Sequence, residues 1–251
     1  MLTNPTSEKL QELRLAGMQS AYREQLEGTD YQDLTFDERF GFIVDREHTE
    51  RHNRRLQTRL RNAKLRLSAT LEDIDYRAKR GLDKSLMLSL ATCDWMRQRQ
   101  NVIITGPTGA GKTYLACALG HKACREGFTV QYHRAPRLFR ELALAKGDGR
   151  YPKLLAALAK TDLLILDDWA TALLTDEQRR DLFEITEDRY DHRSTLIAAQ
   201  MPIEHWHETI GDPTLADAIL DRLIHNAHTI TLKGESMRKK KKSLTQPKTN
   251  G

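Results

Sequence analysis

The chain has 251 residues, enough for an ordinary domain and a smaller module, each with its own core. Its net charge of +5 is concentrated: residues 46–66 carry eight Arg or Lys against two Glu, and residues 238–242 are wholly basic, which points to a polyanionic partner. No run reaches the ~20 apolar residues of a membrane helix, the opening MLTNPTSEKL lacks a signal-peptide layout, and Cys93, Cys117 and Cys124 form no C-x-x-C pair, so membrane-spanning and disulfide-framework classes are excluded and a cytoplasmic location with reduced core thiols is expected.

In chain order, Leu15, Met18, Tyr22 and Leu26 fall on one face of a first helix, which stops in the loop around Gly28 to Asp33. Thr35 opens a second helix through the capping box T-F-D-E, with Phe36, Phe40 and Ile43 as its apolar stripe. No Gly or Pro stops that helix through EHTERHNRRLQTRLRNAKLR, so Arg51, Arg55 and Arg59 repeat every fourth residue, beside Arg54 and Arg61. Such a ridge is either a solvated charged face or a phosphate-tracking surface; acidic partners at i±4 are few, which favours contact with DNA.

A mixed segment follows, with one helix expected over 84–97 that turns Leu86, Leu90 and Trp95 inward. Beyond residue 100 short β-prone runs alternate with helical stretches: strands at 101–105, 129–133, 163–167, 195–200 and 229–232, and helices from Lys112, from Pro136, over 176–190 and around 216–225. That alternation specifies a parallel sheet with helices on both faces.

GPTGAGKT, residues 106–113, sits between an expected strand and an expected helix and matches the P-loop pattern G-x-x-x-x-G-K-[ST]. Its backbone from Gly106 through Pro107, Thr108, Gly109, Ala110 and Gly111 can turn N–H groups onto phosphates, Lys112 can reach the β and γ phosphates, and Thr113 can ligate Mg²⁺. LLILDD then reads as the second phosphate-site strand, in which Asp167 holds Mg²⁺ and Asp168 polarises the attacking water; the alternative for Asp168 is a turn aspartate. Gln200, ending TLIAAQ, is either a γ-phosphate contact or a turn residue, and Arg222 either a surface ion-pair residue or an arginine aimed at another subunit's phosphates. His205, His207, His225 and His228 lack the companion ligands of a zinc site and are read as structural, and Trp95, Trp169 and Trp206 as packing residues.

Together these stretches resemble the AAA+ ATPases, and within them the IstB-type helper ATPases of insertion sequences, in the DnaC-like helicase-loader branch. The likeness is carried by GDPTLADAILDRLIHNAHTITLKGESMRK (211–239), ATLEDIDYRAKRGLD (69–83) and DREHTERHNRRL (45–56). It implies an AAA+ core over 67–233 without a C-terminal lid, an N-terminal helical DNA- or partner-binding domain over 1–66, and a basic tail over 234–251. It further implies that Lys112 and Thr113 are the Walker A pair, Asp167 and Asp168 the Walker B pair, Gln200 sensor 1, Arg222 an arginine finger acting in the next protomer, and Arg238 a candidate sensor 2. The implied activity is slow, DNA-linked ATP hydrolysis with Mg²⁺, in a homo-oligomer with ATP sites between protomers on double-stranded DNA, beside a cognate DDE transposase and, when DNA-bound, on the bacterial nucleoid. The rivals are a DnaC-type loader on single-stranded DNA, a small-molecule kinase, and a nucleotide-gated binding protein that does not hydrolyse.

Overall fold

The computed structural model describes residues 5–28, 30–234 and 236–237. Its contacts separate two compact units, residues 1–58 and 59–251.

The first unit is helical: α1 (Pro5–Glu12), α2 (Ala16–Glu27) and the start of α3 (Phe36–Ala63). The single first helix expected from the sequence is two, because the chain turns at Arg14, whose φ of 58° is left-handed. Helix α3 runs unbroken as expected and starts at the Thr35 box, where Thr35 N–H donates to Glu38 Oε2 at 2.8 Å. Of its expected apolar stripe only Ile43 is buried; Phe36 and Phe40 stack on each other in solvent at 5.8 Å. Helices α2 and α3 cross closely at Gly17, where a Cβ would lie 2.7 Å from Glu47 Cα. The buried Glu47 carboxylate accepts from Gly17 N–H at 2.7 Å, Met18 N–H at 3.1 Å and Arg51 Nε at 2.6 Å, so the otherwise open amides at the start of α2 are satisfied by a charge on α3.

The second unit continues with α4 (Lys84–Ala91), α5 (Asp94–Arg97), β1 (Asn101–Thr105), α6 (Lys112–Arg125), β2 (Val130–Arg134), α7 (Ala135–Gly147), α8 (Tyr151–Lys160), β3 (Leu163–Trp169), α9 (Asp176–Arg189), β4 (Ser194–Ala199), α10 (Trp206–Ile210), α11 (Pro213–Ile224) and β5 (Ala227–Thr231). The helix expected over 84–97 breaks at Cys93, which is left-handed at φ 60°. Leu90 and Trp95 are buried there, with Met87 rather than Leu86 beside them.

All strand pairs are parallel, in the order β2-β3-β4-β1-β5. The central strands are buried on both faces, which is why they read as continuous apolar runs rather than alternations. Leu164, Leu166, Ile103 and Ile197 join α7, α8, α9 and α11 in one core that contains the edge-to-face pair Trp169–Trp206. Ile165 turns the other way, onto α6 at Gly120. Each such side chain contributes ~1.5–3 kcal/mol by leaving water. The order places β4 between β1 and β3, so the C-terminal ends of the P-loop strand and the aspartate strand flank that of β4.

Candidate nucleotide site

The site is built at the C-terminal edge of that sheet. After Thr105 the chain leaves β1 through Gly106, φ 144°, and enters α6 through Gly111, φ 105°, which is the residue capping the helix. Both values lie where an L side chain is strained, so a glycine is required at each. The loop between them presents the α6 N-terminus, where unpaired N–H groups and the helix dipole favour an anion. Lys112 Nζ donates to Gly106 O at 2.7 Å and Pro107 O at 3.0 Å, folding over its own loop.

Thr113 Oγ1 donates to Asp167 Oδ2 at 2.8 Å, joining the first turn of α6 to the end of β3. Asp167 is 1% exposed, and three donors hold its carboxylate: Thr113, the Tyr132 hydroxyl at 2.6 Å and Asp168 N–H at 2.9 Å. Burial and the bond to Asp167 push the Tyr132 phenol far up, so its proton stays in place as a donor. A hydroxyl and a carboxylate oxygen brought together beside a phosphate cradle suit Mg²⁺, which takes few protein oxygens and completes its shell with water and phosphate. The residues therefore fit ATP and Mg²⁺.

Asp168 is built differently. The β3–β4 register shifts between Leu166 and Trp169, and Asp168 takes φ 55°. Aspartate and asparagine tolerate that conformation better than longer side chains do. Its carboxylate accepts from Arg134 Nε at 2.5 Å and has Arg66 Nη1 at 3.7 Å; Arg66 is also 3.9 Å from Asp167 Oδ2. A hydrogen bond with Tyr132 is the main reason the Arg66 pKa is raised.

Gln200 directly follows Ala199, which is in register with Thr105 of β1 and Trp169 of β3, so it stands between the P-loop and the aspartates. Arg222 stands elsewhere. Its carbonyl accepts from Asn101 Nδ2 at 3.1 Å, at the start of β1, and four strand steps of ~3.3 Å separate that point from the P-loop end. Its guanidinium pairs with Glu187, donates to Ala218 O at 2.7 Å and lies over the Phe183 and Tyr190 rings at 5.3 and 5.9 Å.

Of the expected DNA contacts, Arg54, Arg55 and Arg61 are exposed, whereas Arg51 is bonded to Glu47 and Arg59 Nε donates to Cys124 O at 2.8 Å, at the end of α6. Arg238 lies outside the described residues. Sequence reasoning missed Tyr132, Arg66 and Arg134. Arg134 is in register with Asp167, a pairing visible only once β2 is known to neighbour β3.

A family model described as IstB-like ATP binding protein matches residues 8–245. The chain belongs to this family. A Sinorhizobium fredii protein named as an ATP-binding protein of an insertion sequence is 52% identical over 239 residues, covering 95% of this chain and 98% of that one. A Pseudomonas fluorescens protein, likewise named for an insertion sequence and ATP binding, is 48% identical over 203 residues, covering 80% and 88%. Among solved structures, DnaI matches with a TM-score of 0.57 at 20% identity over 66% of this chain and 91% of its own, and the DnaC helicase loader with 0.54 at 20% over 68% and 100%. The IstB-like chain thus has an AAA+-type fold, a parallel sheet with flanking helices, of the kind seen in those two structures, with an N-terminal helical region. Among the described residues no helix is long and apolar enough to cross a membrane.

Proposed function

We propose that this IstB-like protein is a DNA-dependent ATPase that assembles cooperatively on double-stranded DNA with ATP and assists the transposase of its insertion sequence in choosing a target and completing transposition. The observation that carries the ATPase part is the Thr113–Asp167 hydrogen bond, which closes the P-loop onto the aspartate strand. In this reading the loop amides and Lys112 bind the triphosphate, and Thr113 and Asp167 hold Mg²⁺, which neutralises phosphate charge when bound. Asp168 orients the attacking water once Arg134 yields it, and Gln200 contacts the terminal phosphate from β4.

Arg222 acts on the nucleotide of a neighbouring protomer. Its carbonyl meets Asn101 at the start of β1, the end of that strand opposite its own P-loop, which supports this. DNA is held through phosphates, chiefly by Arg54, Arg55 and Arg61, with Arg51 and Arg59 shared between DNA and their intramolecular partners; binding therefore weakens as salt rises. The protein works in the cytoplasm, on the nucleoid when bound.

The test is assembly on duplex and single-stranded DNA of equal length, with ATP and with a non-hydrolysable analogue, alongside phosphate release. Duplex assembly that requires nucleotide, and release stimulated by DNA, are expected. A strong preference for single strands would replace this reading with that of a helicase loader, whose fold is shared. Assembly without any release would make it a nucleotide-gated binding protein.

A further inference from the structure

Arg80 belongs to the segment 69–83, which has no helical or strand periodicity and to which the P-loop reading gives no task. The structure lays this arginine against the P-loop. It is 5% exposed; Nη1 donates to Ala110 O at 3.1 Å and Nη2 to Asp75 O at 3.3 Å, while Nε is buried with no hydrogen-bond partner. Its backbone is pinned as well, because Lys233 N–H donates to Arg80 O at 2.8 Å just beyond β5. The approach is close enough that a Cβ on Gly111 would lie 2.5 Å from Nη1.

Three features make this a costly place for a cation. Burial removes water from the guanidinium and lowers its pKa, while Asp75 attracts it only from beyond ion-pairing distance. Gly111 caps α6, so the charge sits beside the positive end of a helix dipole. An N–H is also left unsatisfied, where buried donors are nearly always paired. A buried charge is normally paired with an opposite one. The one anion this loop is built to receive is a polyphosphate.

We propose that Arg80 is a nucleotide-binding residue: it donates its Nε–H to the nucleotide held by the P-loop, whose polyphosphate supplies the counter-charge that the fold withholds. The proposal rests on the nucleotide reading of residues 106–113. It gives the 69–83 segment a task, that of flanking the bound nucleotide from the β5 side of the P-loop, away from Asp167 on β3.

The test uses the full-length chain, a fluorescent ATP analogue for equilibrium binding, and thermal unfolding with and without ATP. Arg80→Met fills similar space without charge or donor. A loss of about ten-fold or more in ATP affinity is expected, with a nucleotide-free melting temperature equal to or above the parent's and a smaller rise on adding ATP. Affinity within two-fold of the parent, or a loss matched by a lower nucleotide-free melting temperature, would make Arg80 a structural brace and overturn the proposal. Should Arg80→Met fail to fold, Arg80→Lys keeps the charge but not Nε–H: affinity between those of the parent and Lys112→Ala supports the proposal, and parent-like affinity refutes it. If the parent itself binds no ATP, the nucleotide reading fails rather than the role of Arg80.

Discussion

Tyr132→Phe removes a single oxygen from a buried side chain and tests the bond that fixes Asp167. The hydroxyl donates to Asp167 Oδ2 at 2.6 Å, and the ring is 8% exposed, so water cannot readily replace it. A hydrogen bond to a charged group contributes ~1.5–3 kcal/mol. Asp167 Oδ2 keeps its bond from Thr113, which places the expected loss in the lower part of that range, about 1.5–2 kcal/mol. At roughly 2–4 °C per kcal/mol for a chain of this size, the melting temperature should fall by ~3–8 °C. Thermal unfolding at neutral pH without nucleotide measures this, and a double-mutant cycle with Asp167→Asn isolates the pair, with a coupling expected near ~1 kcal/mol. A coupling below ~0.3 kcal/mol would be within the scatter of independent sites and would refute the reasoning.

Asp168→Asn suits the left-handed backbone at that position, so it should fold, bind ATP and assemble on DNA but release phosphate at least ten-fold more slowly, by the order of magnitude of a lost catalytic base; normal release would reduce Asp168 to a turn residue. Arg222→Ala should leave ATP binding by the isolated protomer within about two-fold of the parent while abolishing DNA-stimulated release, as expected for an arginine acting in trans; lost ATP affinity in dilute protein would indicate a role in its own site. For Glu47, burial alone would raise the pKa, but the Arg51 hydrogen bond and the Met18 and Gly17 amides outweigh it and hold it below the ordinary 4.5. A depressed carboxylate stabilises the fold above its unfolded pKa and loses that contribution as pH falls through the folded value, so helicity of residues 1–58 should decline on acidification below about pH 4.5 and Glu47→Gln should flatten that dependence. An unchanged acid profile in Glu47→Gln would show that another group controls it. Replacing Arg54, Arg55 and Arg61 together should lower the slope of log affinity against log salt by roughly two to three without altering ATP binding; an unaltered slope would move the DNA contact elsewhere.

The strands and the P-loop were readable because their physics is local. NVIIT has the uninterrupted apolar run of a strand covered on both faces, and GPTGAGKT carries its glycines where the backbone must turn. What escaped was either long-range or silent. The breaks at Arg14 and Cys93 are left-handed residues that no glycine or proline announces. Arg134 meets Asp168 only because β2 pairs with β3, and strand order cannot be read from periodicity. Arg51 and Arg59 looked like members of one free ridge, yet Glu47, one turn back on the same helix, engages Arg51, and the Cys124 carbonyl of α6 engages Arg59. Arg80 could not be singled out within the 69–83 stretch, since an arginine beside Lys79 and Arg77 in an aperiodic segment looks like any solvated charge.

Under the trans role proposed for Arg222, its separation from its own P-loop would make each protomer a giver at one end and a receiver at the other. Contacts of that kind are head-to-tail, so a row of subunits has a direction and, unless it closes into a ring, one fewer complete site than it has members. Growth and loss at its two ends are then chemically unequal: one terminal subunit keeps a nucleotide that nothing reaches, and the other extends an arginine with nothing to touch.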